Sequence, residues 1–508
     1  MSFSRSSGVL LHPTSLPGPF GVGDLGPRAF EFIEQLAAAG QRVWQVLPLG
    51  PTGYGDSPYQ SPSAFAGNPL LISLEQLIED GLLPGDAVGK NLFEPGDVNY
   101  DAVIRHRETI WPIVVDRFER TAPAPIHDRF DRFCATQAAW LDDFALFMAV
   151  KEAHDNVAWT RWEPDIAHRD RAAIERWTTT LKRQIVQHKL TQFLFFEQWQ
   201  RVREACHGRS IEIMGDLPIF AAHDSADVWA CRQFFQLDDD GGPTVMAGVP
   251  PDYFSATGQL WGNPHYRWDV LAKSGFSWWI DRFRVLLTQV DRVRIDHFRG
   301  FEAAWAVPRD ASTAIHGKWV SGPGRAIFEA VRNELNLDPL PFVAENLGVI
   351  TPEVEALRER FGLPGMAILQ FAFGTDPQGP DFRPHNYPRN RAVYTGTHDN
   401  DTTVGWWTGE AEHSTRSAAD IENERSYATR YLDLEGRDVH WAFIRAVLAS
   451  VADTAVVPAQ DVLGLGSEAR MNRPGTPRGN WRWRLLPEQL TPEVLRRLAS
   501  MTETYGRA

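Results

Sequence analysis

Cysteine is scarce. The 508-residue chain carries three, Cys134, Cys206 and Cys231, an odd number at wide spacing. That spacing excludes a disulfide framework and a paired zinc motif, and it is the usage expected of a reducing compartment. No apolar run reaches the roughly 18 residues a membrane-spanning helix needs. The N-terminal MSFSRSSGVLLHP is too short in apolar residues for a secretory signal, so a cytoplasmic protein off the membrane is expected. Lysine is nearly absent, six among 51 basic residues, and no polybasic run occurs. Against 65 acidic side chains the net charge is −14, which argues against a nucleic-acid partner. No repeat of 20–50 residues is visible, so a solenoid is excluded. GxxxxGK[ST] and GxSxG are also missing.

What is present is an ordinary folded composition, 43% apolar and 23% charged. At about 150 residues per domain the length suggests three or four units, but a single α/β barrel with insertions also passes 400 residues. Nineteen Trp against ten Tyr is unusual. Flat apolar faces suit cores, and they also suit stacking on sugar rings.

The chain opens with a β-α-β unit. GVLLHPTSL (8–16) reads as a strand. Pro27 then starts a helix with Phe30, Ile33, Leu36 and Ala37 on one face, Gly40 ends it, and 41–49 is a second strand. Further strands are expected at 211–220, 291–298, 341–347, 366–371, 392–399 and 454–461, with helices at 276–290, 324–335, 352–361 and 438–450. Eight strand candidates, several separated by helices, predict an α/β fold, a (β/α)8 TIM barrel. It is read as a single domain over 1–508, with mostly helical and loop-rich insertions at about 55–205 and 236–275 forming subdomains around the rim. The second insertion reads as a long functional loop.

Five strand candidates end in an acid: Asp216, Asp296, Glu345, Asp399 and Asp461. In a parallel barrel these ends form one rim, where chemistry occurs. Alternation puts Arg294 on the same side as Asp296. Such a pair is either structural or holds Asp296 ionised as a nucleophile. Glu345 has apolar neighbours that favour a protonated general acid/base. Asp399 follows His398 in GTHDND and reads as a third carboxylate for sugar hydroxyls and an oxocarbenium-like state. Asp216 is equally a substrate ligand or an anchor, and Asp461 reads as structural. HExxH is absent and no HxH lies on a strand, so no metal is expected. Gly21 to Gly26 fits GxGxxG, but Pro17-Gly18-Pro19 separates it from the strand and no acid ends the next one, so no dinucleotide site is expected. Trp278 and Trp279 are expected in the core.

These residues sit in segments that resemble the amylomaltases, or 4-α-glucanotransferases, of the α-amylase clan. The matching stretches are 8–26, QVLPLGPTGYGDSPYQSPSAFAGNP (45–69), GDLPIF (215–220), GVPPDYFSATGQLWGNPHY (248–266), RIDHFRGF (295–301), VAENLG (343–348), YTGTHDNDT (394–402) and MNRPGTPRGNW (471–481). The resemblance implies a (β/α)8 barrel with Asp296 as nucleophile, Glu345 as general acid/base and Asp399 as transition-state stabiliser. It implies that Tyr59, Asp216, Arg294 and His398 bind the sugar of the covalent intermediate, with Ser57 and Asn472 in the same substrate-binding set. Tyr253, Phe254 and Trp261 would shape the acceptor side. Tyr54, with Tyr100 less securely, matches a second glucan-binding site. The implied partners are α-1,4-glucans (maltooligosaccharides, amylose, glycogen-derived dextrins) with glucose as an acceptor. No cofactor is implied, and a monomer or small homo-oligomer is expected. An α-glucan hydrolase and a non-catalytic glucan-binding protein are the competing readings, and a metal-dependent barrel hydrolase is the more remote one.

Overall fold

A computed structural model describes residues 3–89, 92–251, 255, 257–409, 417–435 and 438–508. Among these the strands, in chain order, are β1 (Ser6–Leu10), β2 (Val43–Gln45), β3 (Glu212–Leu217), β4 (Val245–Val249), β5 (Gln259–Pro264), β6 (Arg292–Ile295), β7 (Ala303–Pro308), β8 (Lys318–Ser321), β9 (Phe342–Ala344), β10 (Gly365–Ile368), β11 (Arg391–Tyr394) and β12 (Thr454–Pro458). Eight close into a parallel barrel in the order β1-β12-β11-β10-β9-β6-β3-β2. They are the eight strands expected from the sequence, each shorter than its apolar run. Helices cover the outside, as parallel strands buried on both faces require.

The first unit shows why. The helix Pro27–Ala38 starts on a proline, and Gly40 at φ 68 turns the chain at its end. Its buried stripe is Ala29, Phe32, Ile33 and Leu36, while Phe30 and Ala37 only flank it. Long helices at Tyr100–Thr121, Ala124–Ala153 and Lys182–Gly208 fill most of residues 100–208, before β3. Trp278 and Trp279 are core residues, packed among Tyr266, Phe235 and Phe283. The long loop expected over 236–275 is corrected. It carries β4 and β5, which join β7 and β8 in a four-stranded antiparallel sheet ordered β5-β4-β7-β8. Two of its pairings join consecutive strands, but the β4–β7 pairing that unites the two halves spans β6 and is non-local, so no local period reports it.

The N-terminal end of the barrel is closed by the chain terminus. Arg507 is fully buried and donates to the carbonyls of Ser6 (2.9 Å), Leu448 (2.7 Å), Ser450 (3.0 Å) and Ala452 (2.9 Å). Burial, and then the neighbouring Arg5, push its pKa down to about 9, with Asp453 opposing. Arg507→Ala strips these carbonyls of a charged donor and is expected to lower stability by about 3 kcal/mol. The urea midpoint should fall while kcat/KM stays within about two-fold, because the chemistry of such barrels sits at the opposite end. A wild-type midpoint would contradict the clamp.

Candidate active site

The register of three neighbouring strands sets the centre. Asp216 on β3 pairs with Arg294 on β6, and Ile295 pairs with Ala344 on β9. One residue further, Asp296 and Glu345 leave adjacent strands side by side at the C-terminal rim. The amide of Asp296 donates to Leu217 O and that of Glu345 to Ile295 O, both at 3.0 Å, so both positions still belong to the sheet ladder.

Arg294 is the hub. Its Nη1 donates to both carboxylate oxygens of Asp216, at 2.8 and 2.6 Å, and its Nη2 lies 2.9 Å from Asp296 Oδ1. The Tyr59 hydroxyl donates to Asp216 Oδ2 at 2.8 Å. Although burial opposes it, the surrounding carboxylates, Asp216 first, hold the guanidinium well above its ordinary value, so it stays charged. Such buried charges persist only because each is partnered.

Glu345 sits against a turn. His297 takes the left-handed conformation, φ 50, directly after Asp296, a strained geometry of the kind found at functional sites. Its amide donates to Glu345 Oε2 at 2.7 Å, and Leu347 N donates to Oε1 at 3.2 Å. Burial raises the pKa of Glu345; Arg294 and the two amides oppose it, and Asp399 adds to it. Burial likewise pushes Asp296 up, against the pull of Arg294. The Asp296 side chain keeps 28% of its surface exposed, so it retains some water.

Across the rim, Asp399 and His398 lie on the loop after β11. Strands β11 and β12 end at Tyr394 and Pro458, so neither Asp399 nor Asp461 is a strand end, which corrects the expectation. Asp461 is fully buried and anchors the loop. It accepts from Thr395 Oγ1 (2.5 Å), Thr403 N (2.6 Å) and Thr403 Oγ1 (2.8 Å). Asn472 Nδ2 donates to Asp399 Oδ1 at 2.6 Å, Asn472 N to His398 O at 3.0 Å, and Arg470 Nη2 to Asp399 O at 2.7 Å. Burial lowers the pKa of His398 although Asp399 Oδ2 lies 3.4 Å away. The imidazole stacks on Tyr59 at 5.2 Å, and the Trp481 ring stands 5.7 Å from Tyr59 and 5.8 Å from His398.

The sequence-predicted residues therefore largely converge. Ser57 caps the short turn carrying Tyr59, accepting from Tyr59 N. Trp261 meets His297 edge-on at 4.9 Å. Tyr253 and Phe254 lie outside the described residues. The expected partnership of Tyr54 and Tyr100 is corrected. Tyr54 is 79% exposed, but Tyr100 is buried with its hydroxyl donating to Trp481 O, so it offers no face to a glucan. Trp481 and Arg470 were missed. Both lie in or beside the 471–481 segment, but nothing local separates a site tryptophan from a core one. Among the described residues no three His, Cys, Asp or Glu side chains could jointly hold a metal ion. No helix there is long and apolar enough to cross a membrane.

A sequence profile of the family described as 4-alpha-glucanotransferase matches residues 11–490. The chain belongs to the 4-alpha-glucanotransferase family. It is 50% identical to the 4-alpha-glucanotransferase of Thermus thermophilus, with all of both chains covered. It is also 50% identical to that of Synechocystis sp., over 99% of this chain and 98% of the relative. Among solved structures, the amylomaltase from Streptococcus agalactiae in complex with acarbose superposes with a TM-score of 0.92 at 37% identity, covering 99% of this chain and all of that one. The eight-stranded barrel with its inserted elements is therefore the architecture of this glucanotransferase family.

Proposed function

We propose that the protein transfers a segment of an α-1,4-glucan to the 4-hydroxyl of another glucan or of glucose, by double displacement with retention. The observation that carries this is the placement of Asp296 and Glu345 at one register position of adjacent strands, with Arg294, itself anchored on Asp216, paired to the first of the two. Adjacent strands run about 4.8 Å apart, the scale on which retaining enzymes set their two carboxyls, about 5–5.5 Å.

Burial leaves the pair reluctant to ionise fully. The guanidinium touches Asp296 and reaches Glu345 only at longer range, so the proton that the buried pair retains is assigned to Glu345. Asp296 attacks the anomeric carbon while Glu345 protonates the departing glycosidic oxygen. A glucosyl ester on Asp296 results. Glu345, now a carboxylate, takes the proton from the incoming 4-hydroxyl as that oxygen displaces Asp296. Asp399, oriented by Asn472, stabilises the positive charge that develops on the sugar. Tyr59, His398 and Trp481 form the wall on which that sugar rests, and Trp261 flanks the acceptor side. Excluding water there lets a glucan hydroxyl compete for the ester. This reading needs no cofactor. It places the protein in the cytoplasm, in keeping with three free cysteines, as a monomer or small homo-oligomer.

The test is maltotriose, with the oligosaccharide ladder and total reducing ends followed together. Longer and shorter products with constant reducing ends are expected. Rising reducing ends without longer products would mean a hydrolase. No change, with longer donors also inert, would mean a protein that only binds glucan.

A further inference from the structure

The loops that follow Asp296 and Glu345 are tied together by Arg299. This guanidinium is buried, its Nε donates to Ala303 O at 3.2 Å, and its Nη1 donates to the carbonyl of Val349. Val349 lies four residues beyond Glu345, at most about 14 Å of chain. The indole of Trp319, on edge strand β8, lies over Arg299 with the Cζ 3.6 Å from the ring centroid. It makes a T-shaped contact with Trp305, ring centroids 5.0 Å apart at 64°. Even so, Trp319 is 39% exposed, and Val349 beside it is 46% exposed.

With Arg299 over its ring and 39% of its surface exposed, Trp319 offers apolar ring surface to solvent. The cation–π contact holds the ring in one orientation, so a ligand meeting that face orders little on binding. The flat apolar face of a glucosyl ring is the chemistry it suits. On the glucanotransferase reading, Tyr59, His398, Asp399 and Trp481 hold the sugar of the ester. Arg299 and Val349 belong instead to the loops that follow Asp296 and Glu345, next along the chain from the acid/base.

We propose that Trp319 is a sugar-stacking platform for the α-1,4-glucan chain on the leaving-group and acceptor side, away from the bond that is cut. This rests on the glucanotransferase reading of the site. The platform engages only chains long enough to reach it, so it sets preference for long glucans.

The test compares maltotriose with amylose in the wild type, Trp319→Leu and Trp319→Phe. Leucine keeps an apolar cover on Arg299 but removes the aromatic face. In Trp319→Leu the ratio of kcat/KM for amylose to that for maltotriose should fall about ten-fold, equivalent to about 1.4 kcal/mol, mainly through KM. Trp319→Phe should hold the ratio within about three-fold of the wild type. An unchanged ratio in Trp319→Leu, or equal losses at both lengths, would overturn the platform. A parallel series in an Asp296→Asn background reads dissociation constants for maltotriose and amylose without turnover. Length-dependent weakening there by Trp319→Leu, in a protein whose wild type fails to transfer, would sink the transferase reading and keep the platform. Normal transfer with no length dependence in either series would do the reverse.

Discussion

Asp296→Asn is expected to lower transfer by at least about 10⁴-fold, the scale on which losing a nucleophile acts. The amide is nearly isosteric, so packing at the strand end survives and the far-UV circular dichroism should match the wild type. Two things change. The amide oxygen is a poor nucleophile, and the charge facing Arg294 Nη2 is gone. Arg294 remains held by both oxygens of Asp216, so the guanidinium is not left unpaired and the fold is not undermined. The decisive measurement is the mass of the enzyme after brief exposure to a slow-deglycosylating donor. The wild type should gain one glycosyl unit and the variant none. A variant that still acquires the adduct, or turns over near the wild-type rate, would remove Asp296 from the nucleophile role.

Glu345→Gln is expected to slow natural glucans by about 10³-fold, within the range general acid–base catalysis supplies. It should slow donors with an acidic leaving group far less in the first step, because such a group departs without a proton. Equal losses for both donors would contradict the acid role. The pH dependence has a definite sign. Burial raises Glu345 above its ordinary value, so the protonated form, and with it the first step, is lost as pH rises through that raised value. The same sign governs stability. The folded protein binds this proton more tightly than the unfolded chain, so the stabilisation is complete below the ordinary glutamate range. It is lost as pH rises through the folded-state value. Glu345→Gln, which has no charge to bury, should therefore unfold at a higher denaturant concentration than the wild type at alkaline pH. Identical alkaline midpoints would mean that the buried charge carries no such cost.

Much of this was legible in the residues. Each barrel strand is a short apolar run followed, in most units, by an amphipathic helix, and local periodicity reports that directly. The pairing of Arg294 with Asp296 follows from strand alternation alone. Asp399 was legible only through its segment, because it lies five residues beyond its strand, on a loop with no period. The inserted sheet was illegible for a related reason. β4 pairs with β5 beside it but also with β7, on the far side of β6, and nothing in either stretch announces that second partner. Tyr100 and Trp481 show the same limit for single side chains. The first matches a second glucan-binding site by resemblance yet is buried, and the second carries no local signal yet stands beside Tyr59 and His398.

The sequence by itself determined the barrel, the strand that bears Arg294 and Asp296, and the carboxylates that belong to the rim, because these depend on contacts within an element or between its nearest neighbours. The tertiary structure alone decided that Glu345 stands at the register position of Asp296, which groups Asp461 anchors, namely Thr395 and Thr403, and that Arg470, Asn472 and Trp481 return from near the C-terminus to hold the Asp399 loop. Those are contacts between segments about 50 to 80 residues apart. Their geometry is set by how the closed sheet brings strand ends together, and no local pattern carries it.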